Sequence, residues 1–189
     1  MSIQTRQSQI VNNFFTFASI VILSIVLMLY AKYGPEEKRV NSNLECQKIT
    51  FTTDKIFNEK NLLQGYALME QGAYEINGGF IKPRFGKSYL KDKISIEEAD
   101  LFFSHKIAIP KAEKEKLMTI KYEIVENDKN DPRKKDESCK LHAGSLMTSF
   151  RVSGKEFFRV HTDFLQYDKN EIKKKIECTL DAFKYNAKK

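Results

Sequence analysis

Cys139 and His142 stand three positions apart, and a thiol beside an imidazole is the pairing a thiolate nucleophile needs, because the imidazole can take the thiol proton. In a strand, however, that spacing sends the two side chains to opposite faces. No flanking pattern of a cysteine enzyme surrounds them either. Adding His161 gives three ligands of the types that bind zinc, but such a site needs a fourth ligand and converging geometry. His105 is isolated in the sequence. The acidic pairs Glu97-Glu98 and Asp136-Glu137 are adjacent, so their carboxylates diverge rather than form an acid–base dyad. Gly78-Gly79 lacks the Lys-Ser/Thr ending of a phosphate-binding loop, and no GxGxxG follows a strand. These readings exclude an assigned catalytic residue, cofactor or metal ligand, and the expectation is a protein that is not an enzyme.

The chain elements that would position such groups begin with an apolar segment. Residues Gln7 to Ala31 carry no charge, and a continuous apolar centre runs from Phe14 to Tyr30. At about 1.5 Å of rise per residue, roughly eighteen such positions span about 27 Å, close to the hydrocarbon thickness of a bilayer. The segment therefore reads as one transmembrane helix. A cleavable secretory signal would need a basic start, a shorter apolar core and small residues before the cut. Here Arg6 is the only basic side chain before the helix, and Leu29-Tyr30-Ala31 is bulky, so an uncleaved signal anchor is expected. Ser19 and Ser24 can bond back to their own helix. With no ionisable group inside the span, ion conduction is not expected.

Two arguments on orientation conflict. Lys32, Lys38 and Arg39 follow the helix against Arg6 before it, which favours a cytoplasmic domain by the positive-inside bias. A short polar tail before a first helix commonly stays inside while a large following domain is translocated. The second argument is preferred, placing the domain outside the cytoplasm.

About 158 residues follow the anchor, enough for one domain with its own core. Downstream of Arg6 there are 31 basic and 25 acidic side chains, a formal charge near +6. Most of the lysines alternate with Glu or Asp, unlike the clustered cations and exposed aromatics of a nucleic-acid interface. Nucleic acid is therefore not an expected partner. The three cysteines, Cys46, Cys139 and Cys178, form no CxxC pair. In an extracytoplasmic domain one disulfide and one free thiol is the simplest count. All three pairings are open, with Cys139 to Cys178 preferred, and three reduced, buried thiols are the alternative.

Gly34-Pro35 breaks the helix and Asn41-Ser42-Asn43 continues a polar linker. Alternation suggests a short strand over 47–52, and 54–63 suggests a short helical turn. Tyr66–Met69, Ala73–Ile76 and Phe80-Ile81 suggest two or three strands within 66–85, with Asn77-Gly78-Gly79 as a hairpin turn and Pro83 pushing its segment to a sheet edge. The stretch 94–110 is expected to pair antiparallel with 117–125. In the latter, Met118, Ile120, Tyr122 and Ile124 share one face by strict alternation. Residues 127–138 read as a mobile polar loop. A hairpin is predicted from 141–152, Ser153-Gly154 and 157–167, with Phe158, Val160, Thr162 and Phe164 facing the core and Phe157, Arg159, His161 and Asp163 facing away. The end of the chain, 170–188, fits both periods, and a helix is preferred.

The expected organisation is a polar tail (1–12), a transmembrane anchor (13–31), a linker (32–45) and a single domain (46–189). The fold class is one N-terminal transmembrane helix plus an α+β, mainly antiparallel β, sandwich-like domain. This layout suits an accessory subunit that holds an interaction domain at a larger membrane assembly, its partners being the bilayer and other subunits. The alternative is a β-domain that handles a lipid or other apolar ligand for a transporter. In architecture and length alone, the layout resembles anchored β-jellyroll proteins of lipopolysaccharide export.

Overall fold

The computed structural model describes residues 3–33, 38–40, 44–49, 51–109, 116–134 and 141–189. The expected breaker at Gly34-Pro35, Cys139, and residues 135–138 of the expected loop lie outside them. The chain divides into two compact units, Met1–Glu36 and Glu37–Lys189.

The first unit is the helix α1 (Ile3–Tyr33). Ser24 Oγ donates to the Ile20 carbonyl at 2.8 Å, the expected way for a hydroxyl to be satisfied within an apolar helix. Among the described residues, no helix is long and apolar enough to cross a membrane.

The second unit is built on one six-stranded sheet in the order β1-β2-β6-β5-β4-β3. Its strands are β1 (Lys38–Val40), β2 (Thr52–Ile56), β3 (Tyr74–Ile81), β4 (Met118–Glu126), β5 (Gly144–Val152) and β6 (Lys155–Phe164). All neighbours are antiparallel except β3 and β4, which are parallel. The class is α+β with a mostly antiparallel sheet. The expected sandwich is corrected: helices, rather than a second sheet, cover the apolar face.

Those helices are α3 (Glu59–Glu70), α4 (Ile96–Ile107) and α5 (Lys169–Ala187), and a short α2 (Glu45–Lys48) precedes β2. Of the expected strand 47–52, Gln47 and Lys48 belong to α2 and Thr52 to β2; of the expected helical turn 54–63, residues 54–56 complete β2 while 59–63 are helical and open α3, which also takes in residues 66–69, expected as strand. Asn58 caps α3 by accepting from the Asn61 N–H at 3.0 Å. The region expected to be a strand before β4 is α4. Ser95 and Glu98 close a reciprocal capping box at its start, which satisfies two otherwise orphaned N–H groups. The helix carries the chain from β3 to β4, and parallel strands require such a crossover.

Strand β4 keeps its expected alternation, with Met118, Ile120, Tyr122 and Ile124 buried. The predicted β5–β6 hairpin is present. Ser153 (φ 50°) and Gly154 (φ 76°) supply the two positive φ values of a two-residue turn whose twist matches the strands. Phe158, Val160, Thr162 and Phe164 are buried as expected. Phe157, expected on the other face, is buried too. A register shift at Phe150/Arg151 pairs Arg151 with Glu156 and Phe150 with Phe158, and such a bulge re-aims the extra residue. Helix α5 lays Phe183 on these rings, 4.4 Å from Phe150 at 17° and 6.1 Å from Phe157.

Asn77-Gly78-Gly79 is not a turn. It lies in the middle of β3, in continuous register with Lys121, Tyr122 and Glu123. A β-carbon on Gly78 would stand 2.3 Å from the Tyr122 hydroxyl and 2.9 Å from Ile96, so glycine serves close approach here. Pro83 follows β3, which is indeed an edge strand. Residues 127–134 are organised: Asp128 Oδ2 accepts from the Arg84 and Phe85 N–H groups, both at 2.6 Å.

Candidate functional site

The face of the sheet opposite the helices is polar, and the strand registers order its side chains into rows. One row runs Lys55, Arg159, Ser149, Lys121 and Asn77 across β2, β6, β5, β4 and β3. The next runs Thr53, His161, Met147, Glu123 and Gly79. Alternation places these residues together because their neighbours in each strand fill the core.

A groove of about 370 Å³ opens on this face, lined by Phe51, Thr53, Lys55, Met147, Arg159 and His161 among others. Phe51 meets the His161 ring edge-on at 6.2 Å. Lys55 and Arg159 both lie over the Phe57 ring, at 4.8 and 5.5 Å. Arg159 grips Glu156 through two bonds, Nε to Oε1 at 2.6 Å and a terminal nitrogen to Oε2 at 2.5 Å. Burial raises the Glu156 pKa, but the hydrogen bond and charge of Arg159, helped by Ser149 and Arg151, outweigh it, so the group ends below its ordinary value. Arg151 Nε donates to Ser149 Oγ at 2.9 Å. Lys55 and Arg159, the latter paired with Glu156, thus stand beside the aromatic ring of Phe57, an arrangement that can meet a polar or acidic surface.

The residues first considered for chemistry are dispersed. His161 is on the open face, His142 precedes β5 and offers its carbonyl to Asn127 Nδ2 at 2.8 Å, His105 is near the end of α4, and Cys139 lies outside the described residues. Among the described residues no group of three His, Cys, Asp or Glu is placed to hold a metal ion. Glu97 and Glu98 both belong to the first turn of α4, where Glu98 closes the capping box and is bridged by Lys169.

The preferred cysteine pairing is corrected. Cys178 of α5 is bonded to Cys46 of α2, with Cα atoms 5.8 Å apart. Their 132-residue separation gave sequence reasoning no local cue, since only the docking of α2 on α5 brings them together. Beside the bond, a groove of about 370 Å³ is lined by Lys174, Lys175, Glu171, Glu177 and Asp181. Burial pushes the Lys175 ammonium below its ordinary pKa, against the opposing pull of Glu171 and Asp163.

Sequence reasoning also missed the carboxylates at the C-terminal end of β4. Glu126, buried, accepts from Ser88 Oγ at 2.6 Å and from the Tyr89 N–H at 2.7 Å, and with Asp128 it pins the loop between β3 and α4. These bonds hold that loop against the end of β4.

No family model matches this chain, and no curated protein or solved structure matches it.

Proposed function

We propose that this chain is a non-catalytic, single-pass membrane-anchored subunit that presents its α+β domain, on the extracytoplasmic side, to other proteins of a membrane assembly. The observation that carries the reading is the surface of α1. Phe17, Ile20, Ile22, Leu23, Ile25, Val26 and Met28 are all more than half exposed, and they surround the helix rather than form one stripe. An apolar surface of this kind needs a cover of lipid or neighbouring helices. The Cys46–Cys178 disulfide supports an oxidising compartment for the domain. The open sheet face, with its cations held over aromatic rings, supports a docking role.

A second reading, lipid handling, has one observation in its favour: a groove of about 450 Å³ with Ile56, Leu62, Leu63 and Ala187 in its lining. The filled aromatic core between sheet and helices favours the first reading, because a lipid would have to lie in this open groove. Blue native electrophoresis of native membranes in mild detergent tests the proposal. Migration in a discrete larger complex is expected, and migration solely as a free monomer at native abundance would refute it.

A further inference from the structure

The edge of the sheet at β3 is long and regular. Met118 N–H donates to the Ala73 carbonyl at 3.2 Å, and Tyr74 registers with Met118. In a parallel ladder this directs the backbones of Glu75, Asn77, Gly79 and Ile81 toward β4 and those of Tyr74, Ile76, Gly78 and Phe80 outward. Four N–H and four C=O groups therefore line the outer edge. Among the described residues, no hydrogen bond from another element reaches them. Natural edges are shortened, bulged, or broken by Lys or Pro. The opposite edge follows that practice, being three residues long with Lys38 and Arg39. Strand β3 is eight residues long, in unbroken register with β4, and contains neither Lys nor Pro.

We propose that β3 pairs antiparallel with β3 of a second copy of this chain, with Gly78 opposite Gly78 on the two-fold axis, joining two sheets into one of twelve strands. This register makes the outward residues hydrogen-bonded pairs. It sets Ile76 against Phe80 of the other copy, both half-buried, and gives each an apolar neighbour. It also sets Glu75 opposite exposed Ile81 on the other face of the joined sheet. Asn77 falls opposite Gly79, and the two glycines let the backbones approach without side-chain conflict. An eight-residue edge is small beside the about 1,200–2,000 Å² of a stable interface. The pairing therefore draws on the proposed anchoring of both copies in one bilayer, which raises their effective concentration.

The test uses the full-length chain in its native membranes. In a Cys139→Ser background, co-expressed and differently tagged Asn77→Cys and Gly79→Cys chains should oxidise to a covalent dimer, since non-hydrogen-bonded partners lie within disulfide reach. A Cβ on Gly79 meets its neighbours at 3.5 Å or more, and retention of the Cys46–Cys178 bond reports that the variants fold. Absence of this disulfide, equal dimer yield from exposed Leu63→Cys copies, or capture of a different protein by Asn77→Cys would overturn the proposal. Extraction of the same membranes with alkaline carbonate scores the anchor separately, so its failure and that of the pairing are distinguishable.

Discussion

The hydroxyl of Tyr122 lies 2.3 Å from the point where a β-carbon on Gly78 would stand. The phenol donates to Asp100 Oδ1 at 2.8 Å, with the Ile96 carbonyl at 3.1 Å. Its ring stacks on Phe103 at 4.7 Å. Burial, and then the Asp100 carboxylate, raise the Tyr122 pKa, so the group remains a donor across the physiological range. One glycine thus lets the edge strand, its neighbour and α4 converge on a single hydrogen bond.

Gly78→Ala should destabilise the domain by about 1–3 kcal/mol, because the added methyl has to displace a phenol that is fixed on three sides. Tyr122→Phe should cost about 1–2 kcal/mol by leaving Asp100 without its donor. Urea unfolding of the detergent-solubilised chain, followed by near-UV circular dichroism, measures both. A wild-type midpoint for Gly78→Ala would show that the site relaxes freely.

The disulfide closes a loop of 132 residues, for which chain-entropy arguments give up to about 5 kcal/mol, with about 2–5 usual on removal of a native bond. The double variant Cys46→Ser, Cys178→Ser should therefore melt well below the wild type. Alkylation without reductant should label one thiol per chain, that of Cys139. Three labelled thiols would contradict the bond.

Asp131 is held by Arg133, whose Nε donates at 2.9 Å and whose terminal nitrogen donates at 2.7 Å. These bonds depress the Asp131 pKa to about 2, below an unfolded value near about 3.9. The interaction is thus complete above about pH 4 and is lost as the pH falls toward 2. Amide exchange in 127–134 should accelerate over that window, and salt should weaken the effect. An exchange rate that follows only the general pH dependence would count against the pair.

Charge reversal on the open face should uncouple docking from folding. Lys121→Glu reverses a half-exposed cation that points away from the core, and interfacial charges of this kind govern partner choice. The yield of co-purifying protein should fall about tenfold, equivalent to about 1.4 kcal/mol, while thermal stability stays within about 0.5 kcal/mol of the wild type. Unchanged recovery would move the docking surface elsewhere.

The part of the fold legible in the sequence is the part set by short-range pattern. Alternation along Met118–Ile124 and the Ser153-Gly154 turn specify two strands and a hairpin locally, whereas 170–188 fits both periods and its packing against the sheet makes it the preferred helix, α5. The misread part depends on distant partners. Gly78 looks like a turn until Tyr122 is seen to occupy its side-chain space, and Phe157 changes face through a bulge that only pairing with β5 reveals. The short apolar runs of α4 read as strand, and the Ser95–Glu98 capping box that starts the helix is recognised only in the structure. Of the candidate site, His161 and Arg159 were placed on the outward face, but the row linking them to Lys55 and Lys121 follows only from the order of the strands.

The most direct test of the central claim, a membrane-anchored subunit of a larger assembly, is affinity purification of the full-length chain from native membranes in mild detergent, with mass spectrometry of proteins and lipids. Recovery with other membrane proteins in fixed stoichiometry is the predicted result. A solitary chain, or one carrying lipid alone, would contradict it.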